Sequence, residues 1–149
     1  MHPWRPLAMT DREVYRTLAT AFYNTDAVIK PIPLSHIDAT FEELMRRDTY
    51  TSAYVCDVDG AVRGYALLAK TFSQEAGGQV LWIEELYLTK EYRYQGLGRR
   101  FFEALLASLP PEIKRVRLEV EKENEGAVRL YESLGFSFLE YDQMVLERS

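Results

Sequence analysis

Two groups of residues in this chain have types and spacing that could do chemistry. The first is the run Arg93-Tyr94-Gln95-Gly96-Leu97-Gly98. It sits between an apolar, β-favouring stretch, Val80 to Leu88, and a run with helical spacing in which Phe101, Leu105 and Leu109 fall on one line beside Phe102 and Leu106. A strand, a glycine-bearing loop and a helix in that order bring unpaired backbone N–H groups and the positive end of a helix dipole to one point, which suits a phosphate. Gly96 and Gly98 let the backbone approach a ligand closely, and Arg93, Arg99 and Arg100 add positive charge. The run is neither the dinucleotide fingerprint nor the phosphate loop of nucleotide hydrolases, because the third glycine of one and the Gly-Lys-Ser/Thr of the other are missing. The second group is Glu84 and Glu85, placed inside the apolar stretch, where acids are disfavoured without a reason. Neighbouring strand residues point to opposite faces, so at most one of the two faces a given cleft directly unless a bulge reorients them. A salt bridge to nearby arginines is the structural alternative for such a pair.

The elements that must position these residues can be read along the chain. Trp4 to Met9 is a candidate first strand. Thr10-Asp11-Arg12-Glu13 has the form of a capping box, opening a helix with Val14, Leu18, Ala21 and Phe22 on its buried side and fading near Asn24-Thr25-Asp26. Lys30-Pro31-Ile32-Pro33 breaks any helix, and Ser35 can cap a second one whose stripe is Ile37, Phe41, Leu44 and Met45. Thr51 to Val58, the turn Asp59-Gly60, and Ala61 to Phe72 read as a hairpin. A loop at Ser73 to Gln79 precedes the Val80 strand, and Pro110-Pro111 stops the central helix. Ile113 to Glu121 then reads as a strand, Asn124 to Leu134 as a helix ended by Gly135, and Phe136 to Leu139 and Gln143 to Leu146 as two closing strands. The expectation is one α+β domain over residues 1–149, with a mixed, mainly antiparallel sheet flanked by helices.

Composition sets outer bounds. No apolar run approaches a membrane span and the first residues lack a signal-peptide pattern, so no membrane partner and a cytoplasmic location are expected. Cys56, the one cysteine, excludes an internal disulfide and reads as a small buried hydrophobe in a strand. His2 and His36 are isolated, so no metal is expected. A net charge of −5 argues against nucleic acid as a partner.

A second signature lies further along. A strand ends, Asn124 caps a helix, and Tyr131 sits two turns on along the same side, before Leu134-Gly135-Phe136. Read alone, Asn124 is a cap and Tyr131 an amphipathic core aromatic. Together, Arg93-x-x-Gly96-x-Gly98 and Asn124-x-x-Ala127-x-x-x-Tyr131-x-x-x-Gly135-Phe136 resemble the two signatures of the GNAT superfamily of acetyl-CoA-dependent N-acetyltransferases, over roughly Thr51 to Leu146. The first fifty residues match only in element order, which is where that family varies with its acceptor.

The resemblance implies a GNAT-type fold and an acetyltransferase moving an acetyl group from acetyl-CoA, as cosubstrate, to a primary amine of a small molecule or peptide. Arg93 and the amides of Tyr94, Gln95, Gly96, Leu97, Gly98 and Arg99 would hold the pyrophosphate. The backbone of Leu86, Tyr87 and Leu88, beside a bulge or splay in the strand, would pair with the pantetheine, together with Asn124 and Ala127. Tyr131 would stand beside the thioester sulfur as proton donor. Similarity to polyamine-type acetyltransferases, which carry an acidic pair at this spacing, favours Glu84 as the base and makes Glu85 an acceptor-binding or structural acid. A base has work to do, since only roughly one lysine-like amine in two thousand is neutral at pH 7. With Cys56 as the one thiol and nothing marking it as activated, attack would be direct, in a ternary complex. The loops at Asn24 to Ser35 and Ser73 to Gln79 are the candidate acceptor walls. The resemblance leaves a homodimer open, because the closing strands of such folds often meet a partner. An idle acyl-CoA-binding or sensing module on the same fold is the rival reading, and a plain interaction domain a third.

Overall fold

The turn at Asp59-Gly60 sets the register of the sheet. Both residues take left-handed backbone, with φ of 53° and 85°, the geometry whose twist matches that of the strands it joins. It connects strands β2 (Thr51–Val58) and β3 (Ala61–Ser73), and a wider turn through Gly77, φ 81°, leads to β4 (Gly78–Leu88). A short β1 (Trp4–Pro6) lies along the outer edge of β2. After helix α3 (Leu97–Ala107) the chain returns as β5 (Ile113–Leu118) beside β4. The five strands stand in the order β1-β2-β3-β4-β5, antiparallel throughout except for the parallel β4–β5 pair. Such a parallel pair requires a crossover, which α3 supplies.

This computed structural model describes residues 2–25, 28 and 30–148. They fall into two compact units, Met1–Glu119 and Val120–Ser149. In the first, the sheet is covered on both faces. One face packs against α1 (Arg12–Phe22) and α2 (Leu34–Arg46), in a core of Tyr15, Leu18, Ala19, Phe22, Ile37, Phe41, Val55 and Tyr65. The other face is built around α3, where Phe101 and Phe102 are buried and Trp4 packs against Phe101 with tilted rings, 4.8 Å between ring centroids. Each buried aromatic side chain removes roughly 150–250 Å² from water. In the second unit, Asn124 caps α4 (Glu125–Ser133) through its Oδ1, which accepts the Ala127 N–H at 3.2 Å. The helix closes on Gly135, φ 101°, with the Phe136 and Gly135 N–H groups donating to the carbonyls of Tyr131 and Glu132 at 3.0 Å. Among the described residues, no helix is long and apolar enough to cross a membrane.

Several boundaries differ from the sequence reading. The expected capping box at Thr10 does not form. Residues Met9–Asp11 make a 3₁₀ turn, and the Asp11 carboxylate accepts the Ala8 N–H at 2.7 Å and a bidentate pair of bonds from Arg5 at 2.9 and 3.1 Å. Arg5 outcompetes the local cap because a charged fork on a buried carboxylate is stronger than a hydroxyl on one N–H. Consequently Tyr15 and Ala19 are buried with Leu18 and Phe22, while Val14 and Ala21 are only partly covered. Helix α2 starts one residue before Ser35, after Pro33, so Ser35 caps nothing. Proline at that position already provides extended backbone ahead of the first turn. The central helix ends at Ala107, leaving Leu109 outside it, and β5 ends at Leu118 rather than Glu121. The two closing strands, Phe136 to Leu139 and Gln143 to Leu146, are not strands in this structure. Phe138, Leu139, Tyr141, Met144, Val145 and Leu146 are exposed. Alternating apolar residues form a strand only where a neighbour completes the ladder, and the sequence pattern carries no information about that neighbour. The expected end of the first helix includes residue 26, which lies outside the described residues.

Asp11 yields a test. Its pairing with Arg5, against the opposing effect of burial, holds the carboxyl below its ordinary value in the folded state. A depressed folded-state value means the stabilisation is present above the unfolded value, near 4, and is lost as pH falls through the folded one. Asp11→Asn should therefore lower the urea midpoint at pH 7, and its deficit relative to wild type should shrink on acidification to about pH 2.5. A deficit independent of pH would mean the charge on Asp11 is not what stabilises this corner.

Candidate acetyl-donor site

The β3–β4 ladder skips one residue. Leu68 faces Ile83 and Leu67 faces Glu85, so Glu84 is an extra residue on β4. A bulge of this kind resets the alternation of side chains. Without it, Glu85 would share the α3 face with Ile83. With it, Glu85 lies on the α1 side, as Tyr87 and Tyr65 do, and its carboxylate accepts hydrogen bonds from the hydroxyls of Tyr23 and Tyr65, the latter at 2.5 Å. Glu84 and Glu85 both act on Tyr23, whose phenol is raised chiefly by burial and then by Glu85 and Glu84. Glu85 is half-buried and Glu84 exposed. Desolvation, followed by the charges of Glu119 and Glu85, pushes the Glu84 carboxyl upward. Among the described residues neither acid pairs with an arginine; phenols hold Glu85 instead.

Where the bulge begins, the other side of β4 loses its neighbour. The parallel ladder runs from Gln79↔Ile113 to Ile83↔Leu118 and stops. Among the described residues, β4 pairs from Glu85 to Leu88 on the β3 side alone, so one edge of Leu86, Tyr87 and Leu88 has no strand beside it. The family resemblance implied a bulge or splay at this strand, and the register shift beside Leu67 and Leu68 is a bulge.

The loop that follows is held by its own side chains. Residues Lys90–Tyr92 form a 3₁₀ turn. Arg93 donates from Nε to the Leu88 carbonyl at 2.8 Å, with its guanidinium 5.5 Å from the centre of the Tyr87 ring. Gln95 donates to the Glu91 carbonyl at 2.7 Å. Tyr94, fully exposed, and Gly96 take left-handed backbone, with φ of 61° and 81°. Gly96 is the residue before α3 and its carbonyl accepts the Arg100 N–H, so the N–H groups of Leu97 and Gly98 have no acceptor within the helix. Backbone turning through left-handed positions into a helix start forms a concave set of donors suited to an anion. The two glycines are there for different reasons. Gly96 needs its left-handed φ. A Cβ on Gly98 would meet only Leu86 Cδ2, at an ordinary 3.8 Å, so nothing in the fold itself requires glycine there. Two buried polar atoms beside this loop, Arg63 Nε and Thr89 Oγ1, have no hydrogen-bond partner.

In the second unit, Asn124 uses its side-chain oxygen on Ala127, which leaves its NH₂ group to donate elsewhere. The Tyr131 ring packs on Phe136 at 5.9 Å, and burial raises its phenol. Cys56 is fully buried and its thiol is pushed up to about 11, chiefly by desolvation, which agrees with the reading of an inert core residue. Among the described residues no cluster of three or more His, Cys, Asp or Glu could hold a metal ion.

Sequence reasoning missed Tyr23 and Tyr65. Their signal was weak but present: once Glu85 is opposite Leu67, strand alternation puts Tyr65 on the same face two residues away. The candidate acceptor loop from Asn24 to Ser35 includes residues 26, 27 and 29, which lie outside the described residues.

The profile of the acetyltransferase (GNAT) family matches residues 12–136, most of the chain. The chain belongs to the GNAT acetyltransferase family. Among relatives of this GNAT chain, a probable spermine N(1)-acetyltransferase of Bacillus subtilis subsp. natto is 29% identical over 84 residues, covering 54% of this chain and 55% of the relative. A spermine/spermidine N(1)-acetyltransferase of Bacillus subtilis strain 168 is 27% identical over the same length, with the same coverage. The chain thus spans about half the length of these curated relatives. Among solved structures, a possible acetyltransferase from Clostridium difficile 630 superimposes with a TM-score of 0.82 at 24% identity, covering 98% of this chain and 97% of that one. The aminoglycoside acetyltransferase AAC(6′)-Iy, solved with a bisubstrate analogue of CoA and acetylneamine, gives a TM-score of 0.79 at 17% identity, with 98% and 97% covered. At these identities the likeness establishes the fold, with its mixed five-stranded sheet.

The two glycines of the GNAT loop can be separated by stability alone. Gly96→Ala should cost about 1–2 kcal/mol, the penalty for a left-handed alanine. Gly98→Ala, inside a helix and free of clashes, should stabilise by up to about 1 kcal/mol. Denaturant midpoints of the two variants check this, and equal losses would contradict the assignment of separate roles.

Proposed function

We propose that this chain moves an acetyl group from acetyl-CoA to a primary amine by direct attack in a ternary complex, and that its two units form one acetyltransferase domain, since the family match runs through both. The observation that carries this reading is the coincidence, in one stretch, of the end of the β4–β5 ladder with the glycine-capped start of α3. An unpaired strand edge suits an amide-rich arm such as pantetheine, and a fan of N–H groups suits a pyrophosphate. Leu86, Tyr87 and Leu88 would take the first, with Asn124 and Ala127. The amides from Tyr94 to Arg99, with Arg93 holding the loop closed, would take the second. Gly98, which the fold does not require, leaves room for close approach of the ligand to the backbone.

Glu84 is the proposed base. It is exposed, as an acid must be to reach an amine, and desolvation with the charges of Glu119 and Glu85 raises its affinity for a proton, which favours it as an acceptor. As the amine nitrogen bonds to the thioester carbonyl carbon, the C–S bond breaks. Glu84 accepts the proton from nitrogen, directly or through water, and Tyr131 donates one to the departing sulfur. Glu85, committed to two phenols, shapes the bulge and adds negative charge. The names of the two Bacillus relatives and the grouping of Glu84, Glu85 and Glu119 favour a polyamine-class acceptor.

Three outcomes follow. Tyr131→Phe should reduce turnover by about 10²–10⁴, with CoA binding retained, as measured by mass detection of acetylated spermine or another accepted amine. Wild-type turnover in that variant would remove the acid assignment, and CoA binding by wild type with no turnover on any amine would favour the idle-module reading. Gly98→Ala should bind CoA more weakly in calorimetry despite a higher melting temperature. The acidic limb of the pH–rate profile, where protonation silences the base, should shift to lower pH in Glu119→Gln, because removing a neighbouring negative charge lowers the Glu84 value. An unmoved limb would exclude Glu84 as the group that titrates.

A further inference from the structure

The carbonyl of Leu97 has a second partner besides the helix. The indole N–H of Trp4, ninety-three residues away in sequence, donates to it at 2.9 Å, and this bond is buried. Trp4 is 8% exposed, sits on β1 opposite Cys56, and packs with a tilted ring against Phe101 one turn down α3. The same segment reaches the helix once more: His2 accepts the Trp4 backbone N–H on Nδ1 at 3.2 Å, which leaves its Nε2 to donate to the Arg100 carbonyl at 3.3 Å.

The carbonyl of Leu97 and the N–H of Gly98 belong to one rigid peptide plane. Gly98 N–H is one of the first-turn donors without an intrahelical acceptor. We infer that Trp4 is a positioning residue for the acetyl-donor loop: its indole fixes the Leu97–Gly98 peptide at the carbonyl end, so that the N–H end is held and polarised toward the bound phosphate. A hydrogen bond to the carbonyl of an amide strengthens the bond its N–H can give, because the peptide dipole is shared between them. The short strand β1 thereby has a task that edge pairing with β2 does not require, since any strand-forming residue would satisfy the ladder. The inference rests on the proposed donor site, and Trp4 itself touches neither substrate nor the reacting atoms.

Trp4→Phe keeps an aromatic ring against Phe101 and removes only the N–H. CoA itself is the probe, titrated by calorimetry into wild type and variant. Wild type must bind; if it does not, the donor-site reading fails and this inference with it. Given wild-type binding, the variant should show a dissociation constant raised about 3–10-fold, the range expected for one lost hydrogen bond. A dissociation constant unchanged in Trp4→Phe, even with a lowered melting temperature, would make Trp4 a packing residue and overturn the inference alone. A second measurement needs no Trp4 variant. In ¹⁵N-labelled wild type, where Trp4 and Trp82 are the two indoles and Trp82→Phe assigns them, saturation with CoA should move the Trp4 indole N–H resonance and the Gly98 amide together. A Trp4 resonance that stays in place while the Gly98 amide shifts would sink the proposal, and this result decides the matter if Trp4→Phe does not fold.

Discussion

The structure depends on how β4 is shared between two neighbours. It must remain paired with β3 along its whole length, because Tyr65, Leu67 and Tyr87 carry the covered face there. It can pair with β5 for only half of that length, because β5 ends at Leu118. One inserted residue, Glu84, falls at the point where the second partnership ends. A bulge twists a strand and bends it away from its former course. The insertion and the loss of the neighbour are therefore two views of one event, and among the described residues it leaves a strand edge with no strand beside it. Every donor-binding role assigned to Leu86, Tyr87 and Leu88 rests on that edge.

The same event makes two adjacent glutamates unequal. Glu85 is turned toward a core that already contains Tyr15, Tyr23 and Tyr65, and it survives there because two hydroxyls meet its oxygens. In turn their burial, and after it the charge of Glu85, suppresses ionisation of the Tyr15 and Tyr65 phenols. Glu84, left on the bulge, keeps access to solvent, while desolvation and then the charges of Glu119 and Glu85 raise its affinity for a proton. Two residues of identical chemistry thus acquire different surroundings from a single backbone irregularity.

The legible parts of this sequence were those where local chemistry and global fold agree. Asp59-Gly60, Gly96, Asn124 and Gly135 each impose or cap a conformation within a few residues, and each stands where its type requires. The strand–loop–helix of the central stretch was readable for the same reason. What was not legible depended on partners distant in the chain. Arg5 captured Asp11 and displaced the expected cap. Tyr23 found Glu85 across sixty-two positions. The apolar alternation after Gly135 suggested strands, but the pattern could not say whether another strand would complete them. The bulge was named as a condition on Glu84 and Glu85, but the register shift at Leu67 and Leu68 that locates it is a property of pairing, invisible in one strand read alone.

The burial of Cys56 has a practical side. It is the chain's single sulfhydryl, it has no exposed surface, and its thiol resists ionisation up to about 11. Reagents that colour on meeting thiolate will find almost none on the folded protein. Any such signal that grows with time in a mixture of this protein, a thioester and an amine would come from the small molecules, against a background close to that of buffer.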